Sequence, residues 1–259
     1  MRVTVFTSNQ PRHIALLEKL SQICEAVYGV IETTTVFPGQ VEDFYKKTVV
    51  MQDYFSRVLK AEREVFGQPR FLPPNVHSLN IKMGDLRMLD IKDLNECLNS
   101  DIYLVFGSSL IKESLLAFLI EKKAVNIHMG TSPYYRGNSC NFWAGYDGNF
   151  DYVGATIHLL SKEVDGGDIL FHAFPKAAGD AFELGMKAVE SAQNELVKRI
   201  KNGTLLKQKA VVQNKRLEIR CTRNQDFTDK VAQEYLDRLP KKNEILEKLK
   251  SRNMSQFIV

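Results

Sequence analysis

Two polar side chains one residue apart, Asn126 and His128, are the first candidates for chemistry. In a strand, side chains two apart project to the same side, so these two point together while Ile127 turns away. An amide can donate to an oxygen that gains negative charge, and an imidazole can exchange a proton, a pairing that suits acyl-type chemistry. A carboxylate follows in Val164-Asp165-Gly166-Gly167. The flanking glycines free the Asp165 turn from the constraints of a regular element. A carboxylate near a histidine orients the ring and holds it cationic. His158 lies in the strand-like run Gly154–Leu160, close enough in sequence to join them. Each signal taken singly also has a structural reading. An Asn-x-His in a strand is more often structural, an Asp-Gly-Gly is a common turn, and His158 fits a satisfied core histidine.

The elements around these residues predict an α/β fold with an open, mostly parallel twisted sheet and helices on both faces. Residues 2–7 read as a buried strand that breaks at Ser8-Asn9-Gln10-Pro11, a helix-start signal. Apolar positions Ile14, Leu16, Leu17, Leu20 and Ile23 follow at helical spacing, and residues 27–32 form a second strand. This β-α-β opening implies a parallel sheet. A long amphipathic helix is expected over 41–66, broken near Val49-Val50, and a short helix over Asp90–Leu98 with Asp90 as its N-cap. Strands are expected at 77–83, 101–106, 123–128, 153–160 and 168–174, and helices at 111–120, 138–147 and 180–201. The tail after Gly203 reads as two short strand-like pieces and two helices, 227–238 and 242–252. Asn126 and His128 therefore sit at the carboxyl end of a parallel strand, where open α/β sheets bind ligands. The domain reading is a catalytic unit over 1–205, with 33–75 as an insertion, and a short C-terminal extension over 206–259.

Bulk properties narrow the function. A net charge of +4 over 259 residues gives no strong sign of a nucleic-acid partner. The basic residues of the last sixty positions are interleaved with acidic ones and read as a solvated helical surface. The cysteines at 24, 97, 140 and 221 form no CxxC pair and none has metal-ligand spacing with histidine, so no metal is expected. Reduced thiols, the lack of a signal-like apolar stretch after Met1-Arg2 and the lack of a membrane-length apolar run predict a cytoplasmic protein. The long amphipathic helix either covers the sheet or forms a homodimer contact.

Taken together, the segments NIHMGTSPYYRG (126–137), GATIHLL (154–160) and VDGGDIL (164–170) resemble the folate-dependent formyltransferases. That family includes glycinamide ribonucleotide, methionyl-tRNA and sugar N-formyltransferases. Its Asn-x-His, proline loop ending in Arg-Gly, Gly-x-Thr-x-His strand and Asp-x-Gly turn occur here in order. The resemblance covers 101–175 closely and extends to 1–32. It implies one-carbon transfer from the co-substrate N10-formyltetrahydrofolate to a small-molecule amine, with Asn126, His128 and Asp165 as the catalytic trio and His158 in support. It places the folate against the loops 106–111 and 160–164, through Phe106, Ser108, Leu110, Ile111, Leu160, Lys162 and Asp165, largely by backbone. Two departures stand out. The proline loop reads Gly130-Thr131-Ser132-Pro133 in place of Ser-Leu-Leu-Pro, and the first βα turn lacks the glycines that wrap a phosphate. Ser8, Asn9 and Arg12 are candidates for an acceptor's anionic group, equally consistent with a helix cap. Tyr134, Tyr135 and Arg136 are further acceptor-side candidates, and Phe37, Phe44, Tyr45, Tyr54 and Phe55 offer stacking surfaces or simple packing. The short, helical tail and modest charge argue against tRNA. The expected acceptor is a nucleotide-linked amino sugar, with another small amine such as glycinamide ribonucleotide as the alternative. A formyl-folate hydrolase or a non-catalytic folate-binding protein is the alternative of a different class.

Overall fold

Alternation along the first strand sets the architecture. In the computed structural model, which describes residues 1–36 and 48–259, strand β1 (Arg2–Ser8) turns Val3 and Val5 to one core and Phe6 to another. The chain continues through α1 (Pro11–Ser21), β2 (Ala26–Thr33), α2 (Val49–Phe66), β3 (Val76–Lys82), β4 (Ile102–Phe106), α3 (Glu113–Glu121) and β5 (Val125–His128). It then forms β6 (Tyr135–Gly137), α4 (Cys140–Tyr146), β7 (Ala155–Leu159), β8 (Ile169–Ala173) and α5 (Ala181–Lys201). The C-terminal stretch adds β9 (Arg220–Thr222), α6 (Asp229–Asp237) and α7 (Lys242–Lys250).

Seven strands make one sheet in the order β3-β2-β1-β4-β5-β7-β8, and β6 pairs separately with β9. The first five are parallel, β7 runs antiparallel to β5, and β8 antiparallel to β7. The chain steps outward from β1 to β3 and returns across β1 to β4. That reversal opens a crevice at the carboxyl ends of the strands. The expected open, mostly parallel α/β sheet is the fold observed.

Helices cover both faces. Leu16, Leu17 and Leu20 of α1 and Val189, Leu196 and Ile200 of α5 pack with Val3, Val5 and Leu104. On the other face Leu115 and Leu119 of α3 pack with Phe6, Val30 and Val105. Each such leucine, fully buried, contributes about 1.5–3 kcal/mol. A third, aromatic cluster joins Tyr54 of α2, Phe142 and Trp143 of α4, Tyr235 of α6, Ile245 of α7 and Phe257. Among the described residues no helix is long and apolar enough to cross a membrane.

Some elements differ from expectation for local reasons. Helix α2 starts at Val49 because the Thr48 hydroxyl accepts from Met51 N at 3.3 Å and caps it. The earlier part of the expected helix, 41–47, lies outside the described residues. Residues Ile91–Leu94 form a 3₁₀ turn, not a longer α-helix. Asp90 does cap it, and Asp93 closes back on Asp90 N at 2.9 Å. The tail carries one three-residue strand, β9, and an isolated bridge between Val211 and Ile169, in place of two strands.

Candidate active site

The antiparallel register of β5 and β7 sets Asn126 opposite His158, and His128 opposite Thr156. Directly opposed residues share a face of the sheet. Asn126 Nδ2 lies 3.0 Å from His158 Nε2 and 3.4 Å from Asp165 Oδ1. The same carboxylate oxygen is 3.2 Å from His128 Nδ1 and 3.9 Å from His158 Nε2. Asn126, His128 and His158 thus converge on one oxygen atom of Asp165. His158 Nδ1 faces Leu159 O at 2.8 Å. A carbonyl only accepts, so Nδ1 carries a proton.

Asp165 reaches this point from a loop with left-handed backbone, φ 51°. A non-glycine residue in that region costs about 1–3 kcal/mol and is held by its surroundings. The turn is packed tightly against β7: a Cβ on Gly167 would stand 1.7 Å from Leu159 O. Arg136 Nη2 donates to Glu163 at 2.8 Å and to Val164 O at 3.1 Å. Gln213 Nε2 donates to both Asp165 O and Gly167 O at 2.7 Å.

Electrostatics follow from this packing. Burial works against charge on both partners. At Asp165 the neighbouring His128 and then His158 more than reverse that penalty, and the carboxyl is held well below its ordinary range. At His128 burial is outweighed by Cys140 and Asp165, and the ring is held protonated well above its ordinary value. His128 Nε2 also faces Tyr135 O at 3.3 Å, so each ring nitrogen has a protein acceptor. Cys140 was not among the expected site residues. It is buried at the start of α4, and its thiol donates to Gly137 O at 3.3 Å. Its proximity to His128 is tertiary, with no motif to announce it. Gly130 makes the approach possible: a Cβ there would lie 2.6 Å from His128 Nε2 and 2.4 Å from Cys140 Cβ.

The altered proline loop is pinned from β7 and β8. Thr156 Oγ1 donates to Gly130 O at 2.6 Å and accepts from Ser132 N at 2.8 Å, while His172 Nε2 donates to Ser132 O at 2.8 Å. The acceptor-side expectations for this loop are corrected here. Tyr134 and Tyr135 are buried in the aromatic cluster, and their hydroxyls bond Gln256 O and Asp147. No open ring face is left for stacking. Arg136 is buried between Glu163 and Glu218 and acts as an internal clamp. Tyr54 is likewise core, Phe55 packs partly buried beside it, and Phe37, Phe44 and Tyr45 lie outside the described residues.

The turn after β1 is closed in the same way. Ser8 donates to Gln10 at 2.8 Å, Asn9 exchanges two hydrogen bonds with Thr34, and Arg12 pairs with buried Glu62 at 2.7 Å. These three side chains, candidates for an anionic group or for a helix cap, are occupied by the protein itself.

The loop after β4 is more open. Phe106 is buried with its ring edge-on to His13 at 4.6 Å, and Ile111 packs into the core. Ser108 donates to Ser109 O at 3.2 Å, and Leu110 is 58% exposed. The loop is anchored by Glu32, a fully buried residue absent from the expected site. Its carboxylate accepts from Ser109 N at 2.5 Å, Ser109 Oγ at 2.7 Å and Gly84 N at 2.7 Å. On the opposite side Leu160 N donates to Ala124 O at 2.7 Å and Lys162 is exposed. Among the described residues no three His, Cys, Asp or Glu side chains are grouped to hold a metal ion.

Comparison with known proteins bears on the family and the fold. Residues 74–199 match the family model described as formyl transferase. No curated protein matches the chain by sequence. A 4-N formyltransferase from Francisella tularensis superposes with TM-score 0.52 at 17% identity, covering 91% of this chain and 86% of that one. Phosphoribosylglycinamide formyltransferase from Anaplasma phagocytophilum gives 0.51 at 17% identity, covering 86% and 98%. An N-formyltransferase from Helicobacter canadensis, in complex with folinic acid and dTDP-3-aminofucose, gives 0.50 at 13% identity, covering 90% and 79%. At these identities the likeness is one of fold.

Proposed function

We propose that this chain, whose residues 74–199 match the formyl transferase family model, moves a formyl group from N10-formyltetrahydrofolate to the amine of a nucleotide-linked amino sugar. The observation that carries this reading is the convergence of Asn126 and His128 on one carboxylate oxygen of Asp165, beside a β4 loop with an open rim. In this reading the acceptor amine arrives uncharged and attacks the formyl carbon. The Asn126 amide donates to the formyl oxygen as it gains charge. The His128 imidazolium lies beside it and keeps the Asp165 carboxylate ionised. The Asp165 carboxylate, which stays ionised, steers the proton that the amine gives up toward N10 as the bond from N10 to the formyl carbon breaks. One C–N bond forms, one breaks, and the proton passes from acceptor nitrogen to donor nitrogen.

Two points support the acceptor class. Among the described residues the first βα turn offers no glycine cradle for a terminal phosphate, and its Arg12 is bound to Glu62. The Francisella and Helicobacter structures of this fold are a 4-N formyltransferase and a complex with an amino-sugar nucleotide. The test is to supply the formyl donor with a panel of amines, including amino-sugar nucleotides and glycinamide ribonucleotide. Donor consumption matched by formylation of an amino-sugar nucleotide is the expected result. Formylation of glycinamide ribonucleotide alone would reassign the acceptor, and formate release with no acceptor would mark a hydrolase.

A further inference from the structure

The segment after α5 does more than trail away from the catalytic unit. Val211 pairs with Ile169 through two hydrogen bonds of 2.8 Å. Two residues on, Gln213 turns its amide inward, 8% exposed, and gives both Nε2 hydrogens to Asp165 O and Gly167 O. Lys215 Nζ then meets both oxygens of Glu163 at 2.7 Å. Glu218 meets Arg136, whose other nitrogen donates to Val164 O. Ile219 N and Arg220 N both donate to Tyr134 O, at 2.8 and 3.0 Å, and β9 pairs with β6. Residues 211–222 therefore touch the Asp165 turn on both sides of the aspartate and the loop that carries Tyr135 O, the acceptor on His128.

We propose that Gln213 is a positioning residue for Asp165, and that residues 211–222 form a strap that fixes the aspartate turn against His128. The inference rests on the reading that Asp165 takes part in the transfer. The strained backbone at Asp165 gives the reason such a residue is needed: a left-handed aspartate relaxes unless its carbonyls are held. No other hydrogen bond to Asp165 O or Gly167 O is found among the described residues. Removal of the amide would leave both without their donor. The groups facing the carboxylate are His128, His158 and Asn126, with Cys140 behind His128. Glu163, Lys215, Arg136 and Glu218 surround the turn without touching the carboxylate oxygens.

Gln213→Met keeps the side chain's length and removes its donors. Its effect is read first by NMR titration of the His128 ring, which needs no substrate, and then by turnover against pH. The expected result is that His128 releases its proton about tenfold more readily, one pH unit lower. Turnover should fall about 10- to 100-fold, the cost of a misplaced catalytic group. An unchanged His128 titration with turnover within about twofold of the parent would overturn the proposal. If Gln213→Met does not fold, Gln213→Asn, one methylene shorter, should show a smaller shift in the same direction, and a parent-like titration there would overturn it equally. Asp165→Asn separates the two claims. Activity retained in Asp165→Asn ends the catalytic reading, whereas an inactive Asp165→Asn beside an unperturbed Gln213→Met ends only the positioning role.

Discussion

Two histidines at the carboxyl edge of the same sheet are buried to nearly the same degree, His13 at 5% exposed and His128 at 7%, yet their ionisation is pushed in opposite directions. His13, in the first turn of α1, is pushed well below its ordinary value by burial and then by Arg12. Its Nδ1 hydrogen goes to the neutral Gln10 amide oxygen at 3.0 Å. His128 is held up, against burial, by Cys140 and Asp165. Burial by itself drives a histidine neutral, and a carboxylate in contact reverses it. The contrast extends outward from each ring. Around His13, Ser8, Asn9 and Arg12 are satisfied internally, which makes that edge a structural joint. Around His128 the polar groups meet at one shared oxygen, which leaves charge positioned for a substrate.

The comparison breaks first at Asp165. Asp165→Asn should lower turnover by about 10²–10³-fold, the scale for loss of an electrostatic partner at the reacting centre, and His128 should then lose its proton at lower pH. A His128 that stays charged over the same pH range would show that Asp165 is not what distinguishes it from His13. Gly130→Ala comes next. The added methyl must displace the His128 ring or the Cys140 backbone, and a loss of about 10²-fold is expected with His13 untouched. Single-turnover rates alongside NMR of both rings would check this.

Arg12→Met probes the joint. It leaves Glu62 buried without its cation, and denaturant unfolding should show a loss of about 3 kcal/mol. Turnover of the folded protein should stay close to the parent value, and a large fall would move the β1 turn back into the site. The smallest effects are the slopes of stability with pH. The folded value of His13 is depressed, so its stabilising share is present above the unfolded value of about 6.5 and is lost as pH falls below it. The folded value of His128 is raised, so its share is present below about 6.5 and is lost as pH rises through the folded value. His13→Gln should therefore flatten the acid side of the stability profile and His128→Gln the neutral-to-alkaline side. The same side flattening in both variants would erase the distinction.

Much of the candidate site was legible in the chain itself because it depends on short-range periodicity. The two-residue spacing of Asn126 and His128 places both on one face of β5 whatever packs around it. Glycines beside Asp165 mark the turn that presents it. The acceptor-side expectations fared differently. Tyr134, Tyr135, Arg136 and Arg12 have the side chains of binding residues, and only their partners reveal them as core and clamp. Cys140, Glu32 and Gln213 carried no local signal at all.

The sequence by itself determined the order along the chain of the seven main-sheet strands, the open sheet with helices on both faces, and the Asn-x-His and Asp-Gly-Gly elements of the candidate site. These follow from alternation, helical spacing and turn chemistry, all written within a few residues. Only the tertiary structure decided which polar groups are already answered. Glu32 reaches Ser109 across 77 positions, and Gln213 reaches Asp165 across 48. A charge state such as that of His128 depends on what lies within a few ångströms, and chain distance does not fix it.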